Sequence, residues 1–391
     1  MAIDNKDKKV LNVPPLRFPE FTEEWQEHKL CNIASIVGRI GFRGYTTNDI
    51  VAKGKGAIAL SPTNIENNRL TYDKDNTYIS FYKYEESPEI MIKQGDVVFV
   101  KTGSTVGKVA YVDKLMCKTT LNPQVIVLKN IQCDNYLLSV LMSTSRFQNA
   151  IRKITVGGAV PTLSQAAMGD IAVTMPQVAE QEKLSKFISL LDKRIATQNK
   201  IIEDLKKLKS AISERLFKSV KGSTVLLSDL CDIVKGKQIN GENLSDSGNY
   251  YVMNGGTEPS GYYDNYNVEA STISISEGGN SCGYVQFNTS PFWSGGHCYS
   301  IQNIADKVDN MYLYHYLKSN EDAIMKLRIG SGLPNIQKKD LAMFKIIVPK
   351  IEWQIKISTF LSSLERKAEI EERIQNVMQK QKLYLLQQMF I

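Results

Sequence analysis

The 391-residue sequence has little that would assign it to a membrane, to secretion or to a disulfide-bonded fold. It contains no run of about 18 apolar residues, so we expect no membrane span. Its first residues, MAIDNKDKKV, have no apolar stretch behind their charges and do not form a secretory signal. The cysteines include no C-x-x-C pair, and we interpret them as small buried side chains of a reducing compartment. They are Cys31, Cys117, Cys133, Cys231, Cys282 and Cys298. The sequence therefore predicts a cytoplasmic protein.

Motifs that carry catalysis are also missing. There is no G-x-x-x-x-G-K-[ST] loop for ATP and no H-E-x-x-H pair for zinc. The N/D-P-P-Y/F loop and the Gly-rich cofactor turn of adenine methyltransferases are absent as well. Asn122-Pro123-Gln124 is the nearest approach to that loop, but it lacks the second proline and the aromatic residue that would stack on a flipped base. We therefore predict no catalytic residues.

Metal binding and nuclease chemistry find equally little support. The three histidines are His28, His297 and His315, and they are far apart in the sequence. His297 stands next to Cys298, but no second pair lies at ligand spacing, so we interpret it as a strand histidine with a satisfied ring. Asp96 with Lys101 imitates part of a nuclease site without an acidic partner at a usable spacing. The sequence predicts no metal site and no cofactor bound by this chain.

What the chain does have is length and a mildly basic charge. Its length exceeds what one hydrophobic core usually organises, so two or three domains are expected. The net charge of +7 and the pI of about 8.8 suit a nucleic-acid binder, although many unrelated proteins share them.

An internal repeat organises the chain. Residues 157–217 align without a gap to residues 330–390, at a constant offset of 173. Matched pairs include Gly157/Gly330, Pro161/Pro334, Pro176/Pro349, Gln181/Gln354, Phe187/Phe360, Lys209/Lys382 and Phe217/Phe390, and Asp192/Glu365 is a conservative pair. Upstream, the offset is 200 at Leu30/Leu230 and 176 at Gly107/Gly283, so the first copy is longer by 27 residues (200 against 173), and 24 of them (200 against 176) lie before Gly107. Two modules that share a scaffold and differ in their loops are typical of one architecture that reads two targets.

The end of each repeat is helical. After Pro176, apolar residues recur every three or four positions, and no Gly or Pro interrupts residues 177–221. Such a helix is roughly 65 Å long, far beyond the globular mean. A matching apolar stripe follows Pro349. Because neither helix can bury its stripe alone, we predict that the two pair as a coiled coil; the alternative is that each helix packs on its own globular domain.

The regions before the helices show short alternating strands with Gly-rich turns. The predicted strands are 96–101, 107–111 and 123–128 in the first module and 271–276, 283–287 and 298–301 in the second. The predicted fold class is α+β, with a β-rich domain at 1–175, a long helix at 176–222, a second β-rich domain at 223–348 and a second long helix at 349–391.

At this point the sequence resembles a known family, the specificity subunits of type I restriction–modification systems. The resemblance begins with Leu16-Arg17-Phe18-Pro19-Glu20-Phe21, Trp25 and Lys29-Leu30. It continues in the end of each module, where a Gly loop, a proline and a strand precede Gln181 or Gln354. Met253-Asn254-Gly255-Gly256, Gly261-Tyr262, Ser276-Glu277-Gly278-Gly279 and Trp293 resemble a recurrent recognition domain of that family. Each motif is weak by itself, whereas the tandem architecture is specific and covers essentially the whole chain.

The resemblance implies two target-recognition domains held apart by antiparallel helices around a pseudo-twofold axis. Each domain reads one half of an asymmetric bipartite site on double-stranded DNA, and the chain performs no chemistry. Its implied partners are two methyltransferase subunits, which carry S-adenosylmethionine, and two restriction subunits where the system has them. Two alternatives from the residues stay open: a self-contained nuclease or methyltransferase, and a coiled-coil adaptor that binds other proteins.

DNA contacts are expected from loops, because alternate residues of the strands fill the core. In the first module, the candidates are Lys101, Thr102, Ser104, Thr105, Lys108, Thr119, Thr120, Asn122 and Gln124, with Arg39, Arg43, Lys53 and Lys55 for phosphates. In the second module, they are Asn254, Glu277, Asn280 and Ser281, with Lys235 and Lys237 for phosphates. Glu277 is expected to accept a hydrogen bond from a cytosine amino group. The alternative for each residue is a solvated position in a turn, and the basic residues of the helices are interpreted as solvated or partner-facing.

Overall fold

The computed structural model describes residues 12–72, 75–158, 160–330 and 334–391. These residues form two compact units: unit 1 comprises Met1–Ala196 with Asn376–Ile391, and unit 2 comprises Thr197–Gln375. Residues 1–11, in which we found no secretory signal, lie outside the described residues. The same holds for residues 159 and 331–333 of the repeat. The predicted domain limits remain a prediction, because each unit combines a β-rich region with parts of both long helices.

Unit 1 contains eleven strands in its described residues and begins the first long helix. The strands are β1 (Gln26–Lys29), β2 (Ser35–Gly38), β3 (Ala57–Leu60), β4 (Ile65–Glu66), β5 (Asn68–Leu70), β6 (Tyr78–Ile79), β7 (Val97–Val100), β8 (Val109–Tyr111), β9 (Thr119–Leu121), β10 (Val125–Lys129) and β11 (Ala172–Met175). The helices are α1 (Leu30–Ile33), α2 (Phe81–Glu85), α3 (Asn135–Ser143), α4 (Ser145–Ile154), α5 (Gln165–Gly169) and the long α6 (Val178–Ser219), which continues into unit 2.

Unit 2 repeats this order with fewer strands. Its strands are β12 (Ser223–Leu226), β13 (Asp232–Lys235), β14 (Tyr250–Met253), β15 (Tyr262–Tyr263), β16 (Thr272–Ser276), β17 (Val285–Asn288), β18 (Trp293–Ser294), β19 (Cys298–Gln302) and β20 (Lys345–Val348). Its helices are α7 (Asn310–Ser319), α8 (Glu321–Met325), α9 (Lys338–Ala342) and the long α10 (Ile351–Met389), which ends in unit 1.

The strands that the two units share have the same order in their sheets. In unit 1, the sheets run β1-β11, β2-β10-β7-β8-β5-β4 and β6-β3-β9. In unit 2, they run β12-β20, β13-β19-β16-β17 and β15-β14-β18. In both three-stranded sheets, the central strand has one antiparallel and one parallel neighbour. The repeat that was inferred from residues 157–217 therefore extends to the sheets, whose sequences have diverged beyond gapless alignment.

The six predicted strands are confirmed, with shifts of one or two residues at their ends. They are β7, β8 and β10 in unit 1 and β16, β17 and β19 in unit 2. The additional residues of the first module include β4, β5 and α2, all between Leu30 and Gly107. The insertion thus widens one sheet by two strands and leaves the order of the remaining strands unchanged.

The predicted pairing of the long helices is confirmed, and within unit 2 the helices are antiparallel. Lys206 pairs with Glu372 at 2.5 Å, and Lys209 pairs with Glu365 at 2.6 Å. The later residue of α6 thus pairs with the earlier residue of α10, as in an antiparallel pair. In unit 1, Lys382 of α10 forms an ion pair with Asp192 of α6. The alternative in which each helix packs only on the domain before it is therefore wrong.

The ends of both helices are fixed by packing. In unit 2, the α6 residue Phe217 is buried and its ring lies 5.2 Å from that of Tyr316 in an edge-to-face contact. In unit 1, Phe390, just after α10, makes an edge-to-face contact with a different element, because its partner Trp25 precedes β1 and lies 6.1 Å away. Each long helix thus begins on the core of one unit and ends on the core of the other.

Candidate nucleic-acid interface

In unit 1, three loops meet where β7 ends and β10 begins. The Lys101 N–H donates to the Gln124 carbonyl at 2.9 Å, and the Lys101 carbonyl accepts from the Leu163 N–H at 2.8 Å. The Gly103 N–H donates to the Pro161 carbonyl at 2.9 Å. These bonds fix the backbone of three loops that we call loop cluster 1, namely residues 101–108, 122–124 and 161–163.

Unit 2 makes the same bonds at the equivalent place. The Glu277 N–H donates to the His297 carbonyl at 2.9 Å, and the Glu277 carbonyl accepts from the Ile336 N–H at 2.8 Å. The Gly279 N–H donates to the Pro334 carbonyl at 3.0 Å. We call these loops loop cluster 2, namely residues 277–284, 295–297 and 334–336. Two stretches of different sequence thus adopt one backbone arrangement.

Glycine is required at one matched position of this arrangement. Gly107 and Gly283 have φ angles of 99° and 92°, a region that side chains with a Cβ rarely occupy. A Cβ at Gly283 would also lie only 3.0 Å from the backbone N of Met325. The Gly107/Gly283 pair that anchored the offset of 176 therefore marks a turn that both modules need.

Loop cluster 1 brings together most of the candidates predicted for the first module. Ser104, Lys108 and Gln124 are exposed, and partly exposed candidates surround them. The latter are Lys101, Thr102, Thr105 and Asn122. The Asn122 side chain accepts from the N–H of Gln124 at 2.9 Å and donates to the Tyr45 hydroxyl at 3.1 Å, so it holds the loop. This cluster presents hydroxyl, amide and ammonium groups together.

The structure corrects the expectation that Arg39, Thr119 and Thr120 lie in solvent-facing loops. Thr119 and Thr120 belong to β9 and are buried, and Arg39 is also buried. The Arg39 guanidinium donates to the Leu121 carbonyl at 2.9 and 3.0 Å and to Thr120 Oγ1 at 3.2 Å. Burial lowers the pKa of Arg39. These groups are already engaged inside unit 1, because β9 pairs with β3 and the Arg39 guanidinium bonds to β9.

The other predicted phosphate contacts of unit 1 lie outside loop cluster 1. Lys53 and Lys55 are exposed in the turn that precedes β3. Arg43 is partly exposed and lies 3.6 Å from the Glu89 carboxylate. Of these three residues, Lys53 and Lys55 present the more accessible cations.

In unit 2, the predicted residues are divided between the surface and the interior. Lys235, Lys237 and Asn280 are exposed, and Ser281 is partly exposed. Asn254 is partly exposed, and its Oδ1 accepts from the N–H of His297 at 3.1 Å. Asn254 therefore connects β14 to loop cluster 2.

Glu277 is buried, contrary to its expected place in an open turn. Its Oε1 accepts from Lys235 Nζ at 2.6 Å and from the Tyr299 hydroxyl at 3.1 Å. Its Oε2 lies 3.8 Å from His297 Nδ1 and has no hydrogen-bond partner among the described residues. Burial raises the pKa of the Tyr299 phenol, and the neighbouring carboxylate raises it further. In this arrangement Glu277 holds the exposed Lys235 in place.

His297 corrects a second expectation. It lies in the turn before β19 and its side chain is 61% exposed, so it is not a strand histidine with a satisfied ring. Cys298 beside it is buried, and burial raises the pKa of its thiol to about 11. The sequence carried no signal for this placement, because the gapless alignment begins only at residue 157 and the offset is 176 at Gly107/Gly283.

Cysteine and metal chemistry are limited in the described residues. All six cysteines are free, and Cys231, Cys282 and Cys298 are buried as expected. Cys31 and Cys117 are exposed, which corrects the prediction that all six are buried. Asp96 accepts from Lys129 Nζ at 2.9 Å rather than pairing with Lys101. Within the described ranges, no group of three or more His, Cys, Asp or Glu side chains could hold a metal ion, and no helix is long and apolar enough to cross a membrane.

The long helices carry a second exposed feature, a series of apolar side chains. On α6 they are Val178, Leu190, Ile201 and Leu208. On α10 they are Ile351, Trp353, Ile355, Phe360, Ile370, Ile374, Val377, Leu383 and Tyr384. Apolar groups arranged along one element mark interaction surfaces when they form contiguous patches.

Comparisons with known proteins agree with this architecture. The family model described as type I restriction modification DNA specificity domain matches residues 22–207 and 221–380. A putative type I restriction enzyme MjaX specificity subunit of Methanocaldococcus jannaschii is 22% identical over 404 aligned residues, 93% of this chain and 92% of the relative. The crystal structure of a type I restriction–modification S subunit from M. genitalium matches 97% of this chain and 99% of its own, with 16% identity and a TM-score of 0.64. A chain from a structure on complex assembly and conformational transition of the type I R–M system matches 93% of this chain and 96% of its own, with 15% identity and a TM-score of 0.55.

Proposed function

The chain belongs to the type I restriction–modification DNA specificity family, and we propose that it binds an asymmetric bipartite site on double-stranded DNA and positions the other subunits there. The observation that carries this proposal is the pair of loop clusters. They share one backbone arrangement and present different side chains, as expected of two modules that read two different half-sites. Half-sites one helical turn apart are separated by ~34 Å on one face of the duplex.

The chemistry of the loop clusters supports contact with DNA. Lys101 and Lys108 in loop cluster 1 and Lys235 beside loop cluster 2 supply cations for phosphates. Gln124 and Asn280 are exposed and can form hydrogen bonds with base edges. Lys53, Lys55 and Lys237 extend the basic surface of their units.

We further propose that methyltransferase subunits, two for each copy of this chain, dock on the exposed apolar side chains of α6 and α10. The partners would carry S-adenosylmethionine and all methyl-transfer chemistry, and restriction subunits would join where the system has them. Family membership and the absence of methyltransferase motifs in the sequence support a non-catalytic role for this chain. Its place of action would be the cytoplasm, where DNA and these partners are present.

The deciding experiment is expression of the chain with its methyltransferase partner, followed by mapping of methylated adenines across a genome. We expect a bipartite motif with a fixed spacer, and we expect the motif to change when residues 224–345 are deleted. Methylation without this chain would contradict the proposal, and so would a motif that survives the deletion. Activity of the purified chain alone would indicate a self-contained enzyme.

A binding experiment separates the DNA-binding proposal from a protein adaptor. We expect the affinity of the assembled complex for its site to fall with salt, and Lys108→Ala to make the log–log slope shallower by about 0.9. Lys200→Ala, which removes an exposed lysine from α6, is the matched control and should leave the slope unchanged. An affinity that does not depend on salt would favour the adaptor.

A further inference from the structure

Gln124 and His297 occupy the same position in the two loop clusters. Each immediately precedes a central strand of its sheet, β10 or β19. The carbonyl of each accepts from the first residue after the neighbouring strand, Lys101 or Glu277, and both bonds are 2.9 Å long. The equivalence therefore rests on matching hydrogen bonds and on the matching place of each residue before its strand.

The backbone N–H groups of these two residues are fixed in the same way. Gln124 donates to Asn122 Oδ1 at 2.9 Å, and His297 donates to Asn254 Oδ1 at 3.1 Å. The two asparagines come from different loops, because Asn122 is near in sequence and Asn254 follows β14. Both positions thus have a backbone held at its N–H and at its carbonyl, while the side chain is exposed.

A rigid backbone with an exposed, variable side chain is what sequence readout requires. A loosely held side chain loses more conformational entropy when it binds, and it discriminates less between bases. The amide of Gln124 offers a donor and an acceptor that match N7 and N6 of adenine, whereas an imidazole offers one ring nitrogen to a base edge. The two side chains therefore present different hydrogen-bonding groups to a base pair, so we expect them to differ in base preference.

We propose that Gln124 and His297 are equivalent specificity-determining residues, each contacting a base edge of its own half-site in the major groove. This inference rests on the proposed function. Glu277 acts as a positioning residue in unit 2. Its buried Oε2 lies 3.8 Å from Nδ1 of His297, so a small rotation of the ring forms a hydrogen bond to it and leaves Nε2 for the base. In unit 1, the residue equivalent to Glu277 is Lys101, so no carboxylate stands at that place.

The experiment uses the assembled complex with its methyltransferase partner and reads the methylated motif for Gln124→Ala, His297→Ala and the exchanges Gln124→His and His297→Gln. We expect each change to reduce discrimination at one base position of one half-site by roughly tenfold to a hundredfold. The other half-site should keep its preferences and so acts as an internal control. Gln26→Ala, which alters an exposed side chain of β1, should leave both half-sites unchanged. Glu277→Gln should weaken discrimination at the position that His297 reads.

Several outcomes would overturn the inference. Variants that assemble and methylate with unchanged base preferences in both half-sites would show that these side chains do not read DNA. A uniform loss of methylation with unchanged base preferences would show that these side chains contribute to DNA affinity without reading the sequence. If the alanine variants fail to assemble, Gln124→His and His297→Gln test the inference instead, because both keep a polar side chain of similar size. A wild-type complex without any bipartite motif would instead refute the proposed function itself.

Discussion

Lys209 Nζ lies 2.6 Å from Glu365 Oε1 and joins α6 to α10 in unit 2. The repeat pairs Lys209 with Lys382 and Glu365 with Asp192. Lys382 and Asp192 form the equivalent ion pair in unit 1. The same contact is therefore made twice with the roles of the helices exchanged, which is the expected result of an antiparallel pairing between two copies of one helix.

This contact can be tested by charge reversal. Lys209→Glu places two carboxylates together at a partly buried position, so we expect the free energy of unfolding of unit 2 to fall by about 1–2 kcal/mol. Adding Glu365→Lys should restore part of the loss. Lys207→Glu is the control, because Lys207 forms an exposed ion pair with Glu203 of its own helix. Chemical denaturation measures all four proteins, and equal losses for Lys209→Glu and Lys207→Glu would contradict the role of the cross-helix pair.

His315 predicts a pH-dependent stability. It is buried on α7, and its Nε2 lies 2.9 Å from Ser362 Oγ. Burial lowers the pKa of His315 to about 4. The charge of Lys209 also lowers this pKa, whereas the carboxylates of Glu365 and Asp309 raise it. The unfolded histidine takes up its proton near pH 6.5, whereas the folded one stays neutral to about pH 4. Stability is therefore fully present above pH 6.5 and falls as the pH drops towards 4, by at most about 3 kcal/mol.

The measurement compares denaturation midpoints of the wild type and His315→Gln between neutral pH and about pH 4. We expect the variant to be less stable at neutral pH and to lose less stability on acidification, because glutamine does not titrate. Two curves that stay parallel over this range would show that His315 does not contribute to the pH dependence.

A buried ion pair holds the N-terminal segment on α6 in unit 1. Arg17 donates to both carboxylate oxygens of Glu180 at 2.8 and 2.6 Å, and the Glu180 side chain is fully buried. The bond to Glu180 raises the pKa of Arg17, and burial opposes the rise. Arg17→Ala leaves a buried carboxylate without its partner, so we expect the free energy of unfolding to fall by about 3–5 kcal/mol.

The control for Arg17→Ala is Lys29→Ala, because the pair of Lys29 with Asp170 is largely exposed. Its removal should shift the thermal midpoint far less than Arg17→Ala does, because water screens an exposed pair. Combining Arg17→Ala with Glu180→Gln should recover stability, since the uncompensated charge is gone. Thermal denaturation distinguishes these variants, and a similar midpoint for Arg17→Ala and Lys29→Ala would refute the buried pair as a determinant of stability.

The proposed docking of a methyltransferase subunit has its clearest test at Trp353. In unit 1, the equivalent residue Glu180 is covered by Arg17, whereas Trp353 of unit 2 is 59% exposed. Phe360, seven residues later on the same face of α10, is 46% exposed. We expect Trp353→Ala with Phe360→Ala to weaken partner binding at least tenfold, because apolar anchors contribute most of the affinity at interfaces.

Titration calorimetry or co-purification with the methyltransferase subunit measures this effect. The double variant should keep its melting temperature, because both side chains are exposed. Tyr82→Ala removes an aromatic side chain that is 85% exposed on α2 and serves as the control. Unchanged partner affinity in the double variant would place the docking surface elsewhere.

The periodic and repeated features of the chain were predictable from its sequence. The apolar stripe after Pro176 predicted α6, and the paired Gln181 and Gln354 prove to have one role. Each Oε1 accepts from the backbone N–H of an N-cap residue, Asp134 or Asp309, at 2.9 Å. Local periodicity suffices for such features because a helix depends on contacts between residues three or four positions apart.

Burial at the candidate site was not predictable in the same way. Arg39, Thr120 and Glu277 all have residue types that favour the surface, and all are buried. Arg39 is enclosed by residues about 80 positions later in the chain, and Oε1 of Glu277 accepts from Lys235 and Tyr299 of two other strands. The exposure of His297 has the same origin, because it depends on the turn that joins loop cluster 2 to β19.

The sequence by itself determined the tandem repeat, the two long helices, the family and the difference in size between the modules, since these follow from spacing and periodicity along the chain. The tertiary structure alone decided which side chains the loop clusters expose, and that α10 ends on the core of unit 1 through Phe390 and Trp25. The physical reason is that burial and strand pairing are set by contacts between residues far apart in sequence. Such contacts leave no periodic trace in the residues that make them.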